Sequence, residues 1–278
     1  MKKIDCVIIP ARGGSKRIPR KNLAKFLGIS MLERSIHTAK LVSDCVIVSS
    51  EDNEILESAR QLGVYTLKRE KEFADDFTPT LPVIASVVYK ILSDGARKQF
   101  HDYMQQDIYM NNLALTQSNV ETIKHTLQYI QFAPQTSNEA QNLAVFDLHS
   151  TILCLYATSM FATQDSLLQA LHCIHTQQSA YVVSIIQNAK NFRSFTHNEE
   201  GYFQFIFPQY MHTRSQDLPE AFNDAGQFYL GFAKSFLFHI PILGKQSLGV
   251  ELEYAWDIDS PQDLAIAETL FSLQHKGN

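Results

Sequence analysis

Long apolar runs are missing from this 278-residue chain. None approaches the ~20 residues that a membrane-spanning helix needs. Met1-Lys2-Lys3 leads straight into a polar-flanked strand rather than a signal-peptide core, so the sequence predicts a soluble protein that is not secreted by that route. Cysteine is scarce. Cys6, Cys45, Cys154 and Cys173 show no C-x-x-C spacing, and three of them sit inside apolar strand-like runs where cysteine behaves as a small hydrophobe. That usage suits a reducing, cytoplasmic compartment. No excess of positive charge exists either: 24 Lys and Arg stand against 29 Asp and Glu, for a formal charge of −5 and a pI near 6.0. A broad basic surface for nucleic acid is excluded, and neither nucleic acid nor membrane is expected as a partner. The Walker spacing G-x-x-x-x-G-K-[ST] and the fingerprint G-x-G-x-x-G are both absent, which argues against a P-loop ATPase and an NAD-binding Rossmann domain.

What the chain does have is one concentrated basic loop. Ile8 to Asn22 reads IIPARGGSKRIPRKN, directly after the apolar, β-branched run Cys6 to Ile9. A buried strand therefore runs out into a loop that carries Arg12, Lys16, Arg17, Arg20 and Lys21. Gly13 and Gly14 open backbone conformations closed to other residues and let N–H groups approach a ligand. Pro10 and Pro19 fix φ at two points. Such a loop suits a polyphosphate.

The following elements alternate. Ser30 with Glu33 forms a capping box for a helix ending near Ser43, a strand runs from Cys45 to Ser49, and Ser50 caps a second helix that Gly63 stops. Val64 to Leu67 is a third strand. Short βαβ spacings of this kind predict right-handed parallel crossovers, with ligands bound beyond the carboxyl ends of the strands. Arg69 and the stretch FADDFTPT, Phe73 to Thr80, precede a helix that Thr78 and Pro79 open and that runs to about Leu92, with Gly95 beyond it. On residue type Asp75 and Asp76 read as surface acids near a helix. From 93 to 150 the chain is less regular and lies in a stretch with no glycine between Gly95 and Gly201; Ser118 and Glu121 suggest a capped amphipathic helix there. Ile152 to Tyr156 is a fourth core strand that delivers Tyr156, Ala157, Thr158 and Ser159 to the ligand end. Asp165 caps a helix followed by the strand Tyr181 to Ile186, and His172 and His175 on that helix lack a third ligand and read as ordinary helix residues. Phe192 to Phe207 alternates about His197 to Gly201, which predicts a β-hairpin with aromatics on one face. Asp257 and Asp259 then end a strand on one face, a hard-cation site in outline, before a helix capped by Ser260 with Pro261 at its first position.

The loop contains every fixed position of P-A-R-x-x-S-K-x-[IL]-P-x-K-N and so resembles the CTP-binding signature of the cytidylyltransferases that activate nonulosonic, sialic-type acids. The resemblance extends over Cys6 to about Leu92 and Ile152 to Leu270. It implies a three-layer, Rossmann-like α/β nucleotidyltransferase fold with a mostly parallel sheet, one domain over 1–278, a helical insertion at 93–150 and a β-hairpin dimerisation excursion at 189–212. It implies nucleotide contacts from Ala11, Arg12, Gly13, Gly14, Ser15, Lys16, Lys21 and Asn22, and base-site roles for Arg69 and Ala74. Tyr156 and Thr158 would meet the sugar acid, as would Arg214 and Gln216 of the stretch RSQDLPEAFNDAGQFYLG, an arginine fork suiting its carboxylate. Asp257 and Asp259 would bind Mg²⁺. Lys21, Arg12 and Asp259 would be catalytic, and the general base stays unassigned. Tyr-Ala-Thr at 156–158, where sialic-type members carry Gln-Pro-Thr, resembles pseudaminic-type members, although Met160 replaces their usual proline. The implied activity joins CTP and pseudaminic acid into a CMP-sugar and pyrophosphate in a homodimer, for surface glycan or flagellin glycosylation. N-acetylneuraminic or legionaminic acid, the eight-carbon acid Kdo, and a nucleotide-binding relative without turnover stay open as alternatives; a sugar 1-phosphate enzyme would carry G-x-G-T-R, which is absent.

Overall fold

The chain enters its core at once. Strand β1, Cys6–Pro10, lies at the centre of a seven-stranded sheet. The computed structural model describes residues 3–75, 78–105, 117–132, 143 and 145–275. Among these, two short strands β2 (Lys25–Phe26) and β3 (Ile29–Ser30) pair antiparallel, and are followed by β4 (Val46–Ser50), β5 (Tyr65–Lys68), β6 (Thr151–Leu155) and β7 (Tyr181–Gln187). A hairpin of β8 (Phe195–His197) and β9 (Phe203–Phe205) precedes β10 (Phe222–Phe232) and β11 (Ser247–Glu251). The sheet order is β11-β7-β10-β6-β1-β4-β5, and only β10 runs antiparallel to its two neighbours. The first three core strands are parallel as the short βαβ spacings require.

Helices cover both faces. They are α1 (Met31–Val42), α2 (Asn53–Gln61), α3 (Thr80–Ile91), α4 (Asp94–Met104), α5 (Gln117–Phe132), α6 (Gln164–Thr176), α7 (Ala233–Leu237) and α8 (Pro261–Gln274). Period-two alternation sends Val7 and Ile9 of β1 into a cluster with Leu32 and Ile36 of α1, Ile55 of α2 and Leu167 of α6. Cys6 and Ile8 point into the other cluster, with Ile84 and Val88 of α3, Phe100 of α4, Ile123 of α5 and Phe236 of α7. Burial on both sides explains why β1 and β4 read as continuous apolar runs. The 93–150 segment thus contributes α4 and α5 to one helical layer.

Several local expectations need correction. Asp52, not Ser50, caps α2: its carboxylate accepts from Glu54 N–H at 2.8 Å and Ile55 N–H at 3.1 Å, while Ser50 ends β4 and accepts from Asp52 N–H. Thr163, not Asp165, caps α6, in a reciprocal box with Ser166. A hydroxyl or carboxylate caps only when its residue is itself extended, and that position is set by where the strand or loop before it ends. Gly95 does lie beyond α3, which ends at Ile91, and falls inside α4, which Ser93 caps. Ser118 lies within α5. Asp257 and Asp259 do not end a strand, since β11 finishes at Glu251 and 252–259 is irregular chain anchored by buried Ile258. The Ser260 cap with Pro261 at the first turn is present, closed by Asp263. The hairpin is also present, in the register Phe195↔Phe205 and His197↔Phe203, with Gly201 at φ +87° in its turn.

Candidate functional site

The carboxyl ends of β1, β5 and β6 meet around a cavity of about 270 Å³. Arg12, Ser15, Lys21 and Asn22 line it from the basic loop, Arg69 from the end of β5, and Tyr156, Ala157 and Thr158 from the end of β6. Phe73, Asp75, Thr78 and Thr80 close the side next to α3. Residues predicted separately as phosphate, base and sugar contacts therefore share one pocket. Asp76 and Phe77 of the same stretch lie outside the described residues.

The basic loop is braced by the acids Glu51, Asp52 and Glu54 at the start of α2. Gly13 N–H donates to Glu51 at 2.6 Å, and Arg20 pairs with Asp52 at 3.2 Å and with Glu54. A Cβ on Gly13 would lie 2.4 Å from the Asp52 carboxylate, so glycine is required there by close approach. Gly14 meets nothing, and neither glycine has positive φ, contrary to expectation; the left-handed residue of the loop is Arg20 at φ 56°. Ala11 is buried and its N–H pairs with Ser49 C=O at 3.0 Å, which fixes where the loop leaves the sheet. Asn22 is buried and donates to Arg12 C=O at 2.8 Å, so it holds the loop as well as lining the cavity. Lys16 is exposed on the loop and does not line the cavity. The signal that could have revealed Glu51 and Asp52 is topological, because loops after adjacent parallel strands come side by side at the carboxyl end.

Lys21 reaches across to the turn before α8, donating to Ile258 C=O at 2.9 Å and to Asp259 at 3.2 Å. Arg17 takes the other Asp259 oxygen at 2.9 Å. Partial burial, and then the charge of Asp259, push the Asp257 carboxyl above its usual range. Among the described residues Asp257 makes no ion pair, and no group of three or more His, Cys, Asp or Glu gathers as a metal cluster. The pair nevertheless suits a hard divalent cation that takes its other ligands from water and phosphate, since such a charge would relieve Asp257.

Arg69 is buried; it donates to Ser49 C=O at 2.8 Å and faces Glu51 at 3.8 Å. Burial lowers its pKa without making it titrate at ordinary pH. Ala74 is half-buried beside the cavity-lining Phe73 and Asp75 but does not itself line the cavity. On the β6 side, the Tyr156 hydroxyl meets Thr80 Oγ at 2.5 Å and its ring packs edge to face on Tyr229, whose hydroxyl donates to Asp224 at 2.5 Å. Burial raises both tyrosine pKa values, so both hydroxyls stay protonated. β10 bulges between Asp224 and Tyr229, and in that bulge Gln227 is buried and tied to the β6 loop. Its side-chain oxygen accepts from Phe161 N–H at 3.0 Å and its carbonyl accepts from Tyr156 N–H at 3.3 Å and from the Ser159 hydroxyl. Met160 is buried in a satellite cluster with Phe26, Phe161 and Ile258, so the residue standing where proline was expected is packed rather than facing ligand. Arg214 and Gln216 lie exposed around a 3₁₀ turn at Ser215–Asp217 and do not line this cavity.

A family model described as Cytidylyltransferase matches residues 6–93. A pseudaminic acid cytidylyltransferase of Campylobacter jejuni subsp. jejuni serotype O:2 is 30% identical over 275 residues, 97% of each chain. A Helicobacter pylori protein named pseudaminic acid cytidylyltransferase and UDP-2,4-diacetamido-2,4,6-trideoxy-beta-L-altropyranose hydrolase is 26% identical over 88% of this chain and 38% of its own. In fold, a CMP:2-keto-3-deoxy-manno-octonic acid synthetase solved with CTP superposes with a TM-score of 0.54 at 12% identity, over 98% of this chain and 99% of that one. Identity that runs the whole length of both chains, on a sheet whose carboxyl end gathers the basic loop, means that this chain belongs to the cytidylyltransferase family and is a nucleotidyltransferase.

Proposed function

We propose that the enzyme joins CTP and pseudaminic acid into CMP-pseudaminic acid with release of pyrophosphate. The observation that carries this reading is the shared cavity, in which the basic loop and Tyr156 and Thr158 face one space; the full-length likeness to a pseudaminic acid cytidylyltransferase supports it. The C2 hydroxyl oxygen of the acid bonds to the α-phosphorus in line as the bond to the bridging oxygen of pyrophosphate breaks, and the hydroxyl gives up its proton. Negative charge grows on the phosphoryl oxygens and the leaving group. Arg12, Lys21 and the N–H groups of Gly13 to Ser15 offset it, the loop exchanging carboxylate partners for phosphate. Asp257 and Asp259 would hold Mg²⁺, which supplies further charge neutralisation at the phosphates. Arg69 borders the base, and Ala74 sits behind the cavity-lining Phe73 and Asp75.

Tyr156 presents a ring where an amide would serve hydroxyls, which favours an acid that carries a methyl group and a second acylamino arm. The chain acts as one nucleotidyltransferase domain, cytoplasmic and homodimeric, with 93–150 outside the chemistry. The excursion 189–212 exposes Phe195, Tyr202 and Phe203 at 51%, 73% and 76%, an apolar surface for the second subunit. Contact of Arg214 and Gln216 with the acid belongs with that dimer. Specificity constants for pseudaminic, legionaminic and N-acetylneuraminic acid with CTP test the substrate. A clear preference for N-acetylneuraminic acid overturns the acid while sparing the cytidylyltransferase. Sedimentation of the chain and of Phe203→Asp tests the dimer; a monomeric wild type overturns it.

A further inference from the structure

At the pole of the sheet opposite the nucleotide cavity, two cysteines far apart in sequence touch. Their thiols lie within hydrogen-bond reach, with the two sulfurs 3.8 Å apart. Their backbones are fixed by the sheet: Val7 pairs with Val46, and Val7 N–H donates to Cys45 C=O at 2.9 Å, so Cys6 and Cys45 stand side by side on neighbouring parallel chains. Adjacent strands hold Cα atoms about 5 Å apart, inside the range of about 4.4–6.8 Å that a disulfide spans, and the sulfurs need only approach to about 2.05 Å. Access to them is unequal. Cys6 is fully buried, whereas Cys45 is half-buried and lines a cavity of about 320 Å³ with Lys3, Asp44, Tyr65 and Phe146.

We propose that Cys6 and Cys45 form a reversible dithiol site, in which Cys45 attacks a low-molecular-weight disulfide entering through this cavity and Cys6 resolves the mixed disulfide. In the first step the Cys45 thiolate bonds to one sulfur of the reagent, whose S–S bond breaks and releases one thiolate. In the second, Cys6 gives up its proton, its sulfur bonds to Cys45 Sγ, and the second reagent thiolate leaves. Two protein thiols are oxidised to one disulfide, and one reagent disulfide is reduced to two thiols. The division of labour agrees with the two environments. The hydrogen bond with Cys6 lowers the pKa of Cys45, while burial, before any other cause, raises that of Cys6. The leaving group on Cys45 faces the open side, with Cys6 behind it.

The test uses the full chain carrying Cys173→Ser, which removes the other half-buried thiol, incubated folded with glutathione disulfide and read by intact mass and peptide mapping. The expected result is loss of two hydrogens, a Cys6–Cys45 cross-linked peptide, and full reversal by a reductant. Cys6→Ser, with Cys6→Ala as a second variant and near-ultraviolet circular dichroism to check the fold, is expected to stop at one glutathione adduct on Cys45. Cys45→Ser is expected to carry none on Cys6. A stable adduct on Cys45 while Cys6 is present overturns the resolving role. No reaction in the folded protein, when the urea-unfolded chain reacts, overturns the site.

Discussion

The two poles of the central sheet are built from the same strands and differ in every chemical respect. Beyond the carboxyl ends of β1, β5 and β6, charged and polar groups from separate segments converge on a cavity of about 270 Å³. At the amino ends a cavity of about 320 Å³ has a lining that mixes a lysine, two aspartates and apolar groups, with Lys3 and Asp44 paired to each other. In a parallel sheet the loops leaving the carboxyl ends are free to carry polar groups, because their backbones are no longer needed in the ladder, and adjacent strands bring those groups together. The amino ends receive chain returning from helices, and there the informative feature is two thiols.

The contrast can be broken first at Lys21. Lys21→Ala should reduce pyrophosphate release more than 100-fold, about 3 kcal/mol or more in the transition state, with an unchanged melting temperature; wild-type turnover would dissolve the distinction between the poles. An acid-stability experiment addresses the other pole. His239 follows α7, is buried with Nε2 unpartnered among the described residues, and has its pKa pushed down by burial to about 4. The unfolded chain, at about 6.5, therefore binds the proton more tightly, so stability is complete above about pH 6.5 and is lost as pH falls toward about 4. By pH 5 the loss should be about 2 kcal/mol. His239→Asn, which tolerates the observed φ of 50°, should remove that loss in urea titrations without changing turnover at neutral pH. Equal acid sensitivity of the variant would contradict it.

Asp259→Asn should lower the rate about tenfold, about 1.4 kcal/mol, and flatten the dependence on Mg²⁺. An unchanged metal titration would take the turn before α8 out of the site. The smallest effect separates the two loop glycines. Gly13→Ala should cost about 1 kcal/mol by displacing the Asp52 cap, and should raise KM for CTP, whereas Gly14→Ala should stay within about 0.5 kcal/mol of wild type. Equal effects would show that the loop does not lean on Asp52.

Much of the carboxyl pole was legible because its signals are local. The β1 run, the basic loop, the Ser30 cap and the hairpin about Gly201 each depend on residues within one turn or one strand. Caps failed where several polar residues stood in a row, as at Ser50-Glu51-Asp52 and Thr163 to Asp165, since the winner is decided by where the preceding segment stops being extended. The brace from Glu51 and the touching of Cys6 and Cys45 were not legible, because each joins positions 38 or 39 apart through strand adjacency. The form of the Asp257-Ile258-Asp259 stretch was not legible: alternation mimics a strand, but the chain there is held by Ile258 in a cluster with Phe26 and Met31.

The buried Gln227 has a consequence for how this pocket could be altered. It fastens the 156–161 loop through main-chain groups at Tyr156 and Phe161 and through the Ser159 hydroxyl, not through the Tyr156 or Thr158 side chains. Those two side chains are thus exchangeable parts on a fixed mount. A library that randomises 156 and 158 while keeping Gln227 and Ser159 should yield folded proteins with shifted acid preference, whereas one that varies Gln227 should mostly yield proteins that lose the loop altogether.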